Sequence, residues 1–117
     1  IKNADNTYLV KKVAGEWLKN HQSKENKLKI LERFPIVTYY SGIKERWITP
    51  FTDSLDSLIE YAKFNKIDYL VVDTLDFKTY RPKLAFLLQD DFQNKSLNKI
   101  KVFQVNSQKV ILFKFNY

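Results

Sequence analysis

The segment Ile67-Asp68-Tyr69-Leu70-Val71-Val72-Asp73 constrains the fold more than any other stretch of this sequence. Tyr69 to Val72 is apolar without alternation, so a strand formed there must be covered on both faces. Such runs typify central parallel strands flanked by helices. The run is far shorter than the roughly 20 residues a membrane-spanning helix needs, and the other apolar runs are equally short. No stretch reads as a signal peptide.

The elements around this strand follow from periodicity. Leu9, Val10, Val13, Ala14, Trp17 and Leu18 recur at helical steps, which predicts an amphipathic helix over 7–21 with Asp5 or Asn6 as its cap. Its outer face is expected to carry Lys11, Lys12, Glu16 and Lys19. A polar loop over 22–27 leads to a strand at 28–32. Pro35 then opens either a short helix over 36–41, ended by Gly42, or a competing strand. Arg46 to Thr49 reads as a short strand stopped by Pro50. Ser54 to Asn65 is a helix capped by Asp53 or Ser54. Thr74 to Tyr80 reads as a loop and Pro82 to Leu88 as a short helix. The stretch over 90–98 is an exposed connection. Two strands, Ile100 to Val105 and Val110 to Phe115, form a hairpin about Asn106-Ser107-Gln108. In the last strand Val110, Leu112 and Lys114 share one face, and Ile111, Phe113 and Phe115 the other.

Helices alternating with strands predict an α/β fold. The expectation is a three-layer Rossmann-like sandwich: a mostly parallel sheet with a C-terminal antiparallel β-hairpin. At 117 residues, 44% of them hydrophobic, the chain suits one domain with one packed core. It opens at Ile1 without an initiator Met, so residues 1–117 are expected to be a piece of a longer protein.

Composition excludes several chemistries. No Cys means no disulfide and no thiolate metal site, and a single His makes no His-rich metal centre. Two Gly leave no room for a glycine-rich phosphate loop. The formal charge of +7 favours contact with polyanions, but the lysines are scattered evenly and suit solvated faces. No cofactor is expected.

Asp73 ends the central strand, where open α/β sheets bind ligands. With Asp76 it forms a carboxylate pair suited to a metal or a proton. Without a His or third acid, capping of the next turn is the favoured role, and no metal site is expected. Asp68 brackets the other end of the strand. Glu45, Asp73 and Lys78 do not make a nuclease site, because no E-x-K follows Asp73 on a strand. Tyr39, Tyr40, Trp47, Phe51 and Tyr80, with Lys44, Arg46 and Arg81, fall near strand ends. Such a set suits stacking of bases or sugars, although small cores need aromatics too. Tyr39, Tyr40, Trp47, Asp73, Tyr80 and Arg81 are therefore the candidate ligand surface. His21 is expected to meet the dipole of the first helix. No catalytic residue set can be assembled.

One resemblance spans nearly the whole chain. It is carried by Ala14-x-x-Trp17-Leu18, Ile30-x-x-x-x-Pro35-x-x-x-Tyr39-Tyr40-x-Gly42, Ile67 to Asp73, Pro82-x-Leu84-x-x-Leu87 and Val110 to Phe115. These resemble the C-terminal soluble domain of membrane glycosyltransferases of the dolichyl-phosphate-mannose protein mannosyltransferase type. The resemblance implies a multi-span parent enzyme that uses a polyprenyl-phosphate sugar donor. It places the catalytic acid in the membrane portion and this domain, itself non-catalytic, on the extracytoplasmic face of the cell membrane. Its implied partners are the transmembrane portion of the same chain and the membrane surface or a lipid-linked sugar. The alternatives are a basic nucleic-acid-binding module, which the scattered lysines disfavour, and a small hydrolase using Asp73.

Overall fold

A computed structural model describes the backbone over 2–22 and 27–117, with side chains from residue 6 onward. The elements are α1 (Lys2–His21), β1 (Lys29–Leu31), α2 (Ile36–Ser41), β2 (Glu45–Trp47), α3 (Leu55–Phe64), β3 (Tyr69–Asp73), α4 (Thr74–Thr79), a 3-10 helix (Pro82–Leu88), β4 (Leu97–Val105) and β5 (Gln108–Phe115). The strands form one mixed sheet in the order β2-β1-β3-β5-β4.

The expected mostly parallel Rossmann-like sandwich is overturned by the pairing. Parallel pairing joins Lys29–Leu31 to Glu45–Trp47, and Ile30 and Leu31 to Tyr69 and Leu70. Antiparallel pairing runs the whole length of β3 against β5, and then along almost all of β4 and β5. The sheet is therefore small and mainly antiparallel. The physical reason is that an antiparallel neighbour buries both faces of a central strand as well as a parallel one, so the apolar run of β3 does not fix its partner's direction.

Both faces of β3 are covered. Ile30, Tyr69, Val71, Val110 and Leu112 pack beneath Val10, Ala14 and Leu18 of α1 and Val37 of α2. Leu31, Leu70, Val72, Ile111, Phe113 and Phe115 pack against Leu58 and Ala62 of α3, Phe77 of α4, and Leu84 and Leu87 of the 3-10 helix. Each buried Val, Leu, Ile or Phe side chain among them contributes about 1.5–3 kcal/mol by leaving water. Alternation in β5 thus places its residues on the two faces as the pattern of that strand requires.

Several local expectations change. α1 begins at Lys2, so neither Asp5 nor Asn6 caps it. The buried stripe of α1 is Thr7, Val10, Lys11, Ala14 and Leu18, while Leu9 and Val13 are exposed. The expected polar loop over 22–27 falls largely outside the described residues. Residues 36–41 form a helix rather than a strand, and Gly42 ends it at φ 77° with its N–H donated to the Tyr39 carbonyl. The expected loop after β3 is α4, because the Asp73 carboxylate accepts the Asp76 N–H and caps a helix there. β4 starts at Leu97, three residues before Ile100, and its register shifts between Lys99 and Lys101 to form a bulge. Gln108 opens β5, which leaves Asn106 (φ 55°) and Ser107 as the hairpin turn.

α1 meets α2 at Gly15. A Cβ there would lie 2.6 Å from Tyr40 Cβ and 2.7 Å from the Val37 carbonyl oxygen. In an exposed helix interior Gly→Ala gains about 1 kcal/mol of helix propensity. Here Gly15→Ala should instead lower stability by about 1–3 kcal/mol through overpacking, read by urea denaturation. A stabilised variant would show that the two helices do not approach this closely.

Candidate functional site

Above the C-terminal ends of β1 and β3 lies a cluster of buried charges. Glu32 follows β1, Asp73 ends β3, Asp76 sits in the first turn of α4, and Arg81 follows that helix. Lys11 enters from α1 and is 1% exposed. Its Nζ lies 3.2 Å from Asp73 Oδ2 and 3.8 Å from Glu32 Oε2. Glu32 also accepts the Val37 and Thr38 backbone N–H groups and the Thr38 hydroxyl, at 2.8–3.1 Å. The carboxylate thereby fixes the start of α2, whose first turn holds no acidic residue of its own.

Asp76 receives Arg81 Nε at 3.0 Å, and its other oxygen lies 3.8 Å from Arg33 Nη1. Arg81 also donates to the Thr49 carbonyl at 2.6 Å and to the Pro50 carbonyl, which ties the β2–α3 connection to α4. Arg46 donates to the Glu32 and Arg33 carbonyls at 3.2 and 2.5 Å. The ion pairs join carboxylates Glu32, Asp73 and Asp76 to cations Lys11, Arg33 and Arg81, so their formal charges cancel. Burial lifts the Glu32 carboxyl above its ordinary value of 4.5, against the pull of Lys11 and the Thr38 and Val37 donors. Burial lifts Asp76 as well, against the hydrogen bond and charge of Arg81.

Aromatic rings form an outer rim on this cluster. The Arg33 guanidinium carbon lies 3.8 Å from the centre of the Tyr80 ring, and 5.0 Å from each of the Phe34 and Phe51 rings. Arg81 lies 4.5 Å from Phe51 on the inner side. Phe34 and Tyr80 meet edge to face at 6.4 Å.

The candidate ligand surface is divided by the fold. Asp73 and Arg81 belong to the buried cluster, and Tyr80 and Phe51 belong to its rim. Tyr39 and Tyr40 instead pack with each other, and Tyr40 meets Tyr8 and Lys12 of α1. Trp47 lies on edge strand β2 against Tyr61, with its indole N–H donated to Glu45 at 2.9 Å. Asp68 accepts the Lys29 N–H at 2.9 Å and fastens the start of β1. His21 stacks on Trp17 and bonds its carbonyl oxygen at 2.8 Å. Lys44 is exposed.

Asp73 and Asp76 do not face a shared open position, since Lys11 and Arg81 already occupy them. Among the described residues no group of three or more His, Asp or Glu converges as a metal site. The arrangement braces α1, β1, α2, β3 and α4 together and leaves the rings of Phe34, Phe51 and Tyr80 exposed at its edge.

Lys11, Glu32, Arg33 and Phe34 are the site residues that composition and motif do not pick out. The expected outward placement of Lys11 is wrong. Thr7, Lys11, Ala14 and Leu18 repeat at steps of four, three and four, which is the buried stripe itself, and that spacing was the available signal.

Two outcomes follow. Lys11→Ala leaves two buried carboxylates without their cation and should lower stability by about 3–5 kcal/mol in urea denaturation. Glu32 makes stability depend on pH in an unusual direction. The folded chain keeps the Glu32 proton where the unfolded chain has released it, so this contribution is full below pH about 4.5 and declines as pH rises through the folded value. Denaturation midpoints measured from pH 4.5 upward should show that decline, and Glu32→Gln should reduce it.

No protein-family model, curated protein or solved structure matches this chain, so the residues just described are the basis for a functional reading.

Proposed function

We propose that this chain is a non-catalytic accessory domain of a multi-span membrane glycosyltransferase that uses a polyprenyl-phosphate sugar donor. In this reading it stands on the extracytoplasmic face of the cell membrane. It helps the transmembrane portion of the same protein hold acceptor or donor.

The observation that carries the reading is the closure of the charge cluster on itself. The strand ends where an α/β sheet would place a reactive group hold carboxylates engaged by Lys11 and Arg81, in a brace between elements. The hydrolase alternative needs Asp73 free to take a proton, but its oxygens are engaged by Lys11 and the Asp76 N–H. The motif resemblance along the chain supplies the family. Chemistry then comes from elsewhere in the parent. No helix among the described residues is long and apolar enough to cross a membrane.

The test has two parts. The reading frame upstream of Ile1 should encode successive apolar spans of about 20 residues. Deleting residues 1–117 from the full-length protein should sharply reduce sugar transfer from a polyprenyl-phosphate sugar. A frame without such spans, or transfer unaffected by the deletion, would remove the reading.

A further inference from the structure

Asn94-Lys95-Ser96 is the one place in this sequence where an asparagine is followed by a residue other than proline and then by a hydroxyl side chain. That spacing is the acceptor signal for N-linked glycans, provided that the segment lies on a surface turn. The fold meets this condition. The three residues lie in the connection between the 3-10 helix and β4. The Asn94 carbonyl accepts the Leu97 N–H at 3.2 Å, and Asn94 Oδ1 accepts the Ser96 N–H at 2.7 Å. The side chain thus closes a turn on its own backbone, with Lys95 exposed at the tip. Asn94 Nδ2 and the Ser96 hydroxyl make no hydrogen bond among the described residues. With Oδ1 committed to the backbone, the amide nitrogen is the end left for chemistry.

We propose that Asn94 is an N-glycosylation site. The donor is an oligosaccharide linked to a polyprenyl diphosphate, and a separate membrane transferase delivers it. Asn94 Nδ2 forms a bond to the anomeric carbon of the first sugar. The bond from that carbon to the diphosphate oxygen breaks, and polyprenyl diphosphate leaves with the electron pair. One amide proton passes to a base of the transferase. Ser96 supplies the hydroxyl by which the transferase recognises the acceptor. The inference rests on the reading above in placing this chain on the extracytoplasmic face of a membrane.

The folded chain has room for the added sugar. A hollow of about 600 Å³ opens beside Asn94, within the roughly 300–1,000 Å³ of sites that take a small molecule. Phe92, two residues before Asn94, lines it, and its ring is braced by Phe86 and Phe113. That ring offers an apolar face to a sugar, and Asp90, Gln93 and Asn98 in the same lining offer partners to its hydroxyls. The turn lies at the end of the sheet away from the buried charges. Leu97 pairs with Phe115, whose N–H reaches the Asp68 carbonyl just before β3, whereas the charges gather around Asp73 at the other end of that strand. A glycan on Asn94 therefore leaves the brace untouched.

The test is peptide mass spectrometry on the full-length protein purified from membranes of its native cells. Peptides containing Asn94 should carry a glycan. Enzymatic release in heavy-oxygen water should convert that amide to a labelled carboxylate, which distinguishes glycan removal from spontaneous loss of ammonia. The glycan should be lost completely in Asn94→Gln and Ser96→Ala, and kept in Ser96→Thr. Because the Ser96 hydroxyl is free in the fold, Ser96→Ala should unfold at the wild-type urea concentration, so its loss of glycan is not a loss of folding.

Peptides found only with a bare Asn94, or a glycan that persists in Ser96→Ala, would overturn the proposal. Protease added outside intact cells separates the possible failures. A domain cut from outside yet bare at Asn94 rejects the glycan site alone. A glycan on Asn94 of a protein whose reading frame lacks membrane spans rejects the glycosyltransferase reading alone. A domain shielded from the protease and bare at Asn94 rejects both.

Discussion

The ammonium group of Lys11, closed between Asp73 and Glu32, is the interaction on which the rest of the arrangement depends. A buried lysine is costly unless matched, and so are two buried carboxylates. Each group is tolerable only with the others in place. α1 therefore has one seating on the sheet, since sliding by a turn would strand charges in the core. Replacing a buried ion set by apolar side chains of similar volume is often neutral or stabilising, so the gain here is in specificity of packing rather than in gross stability. The apolar stripe supplies attraction, and the charges select its register.

From this centre, order spreads to segments with little core of their own. Glu32 organises the first turn of α2 through the Val37 and Thr38 donors. Asp73 caps α4, and Arg81 draws in Thr49 and Pro50 from the connection after β2. That connection carries Phe51, so an exposed ring stands on a backbone anchored from below. Outward-facing groups held on a rigid base lose little freedom when they meet a partner, which favours recognition. The same atoms thus hold the fold together and fix the backbone beneath the exposed Phe51 ring.

Much of this was legible in the sequence because burial leaves periodic marks. The unbroken apolar run of β3 indicates a strand covered on both faces, and alternation in β5 separates Ile111 and Phe113 from Val110 and Leu112 as the two hydrophobic clusters do. Strand direction leaves no such mark, so the parallel expectation failed where β3 pairs with β5. Lys11 was misread because a charged residue on a helix is normally solvated. Its stripe position weighed against that rule, and tertiary pairing decided the outcome. Arg33 and Phe34 belong to a connection without periodicity, and only the fold brings them to Phe51 and Tyr80. The aromatic set near the strand ends combined residues that the sheet separates, since Trp47 and Tyr39 sit on different elements from the rim.

The hairpin has a consequence of its own. β4 is the outermost strand on its side of the sheet, and its backbone ladder is interrupted where the register slips between Lys99 and Lys101. A straight, neutral border of this length would invite a neighbouring chain to add a strand. A kinked border carrying ammonium groups repels one instead. Copies of this domain crowded together would therefore keep their sheets separate, and self-association would have to proceed through side chains rather than through shared backbone.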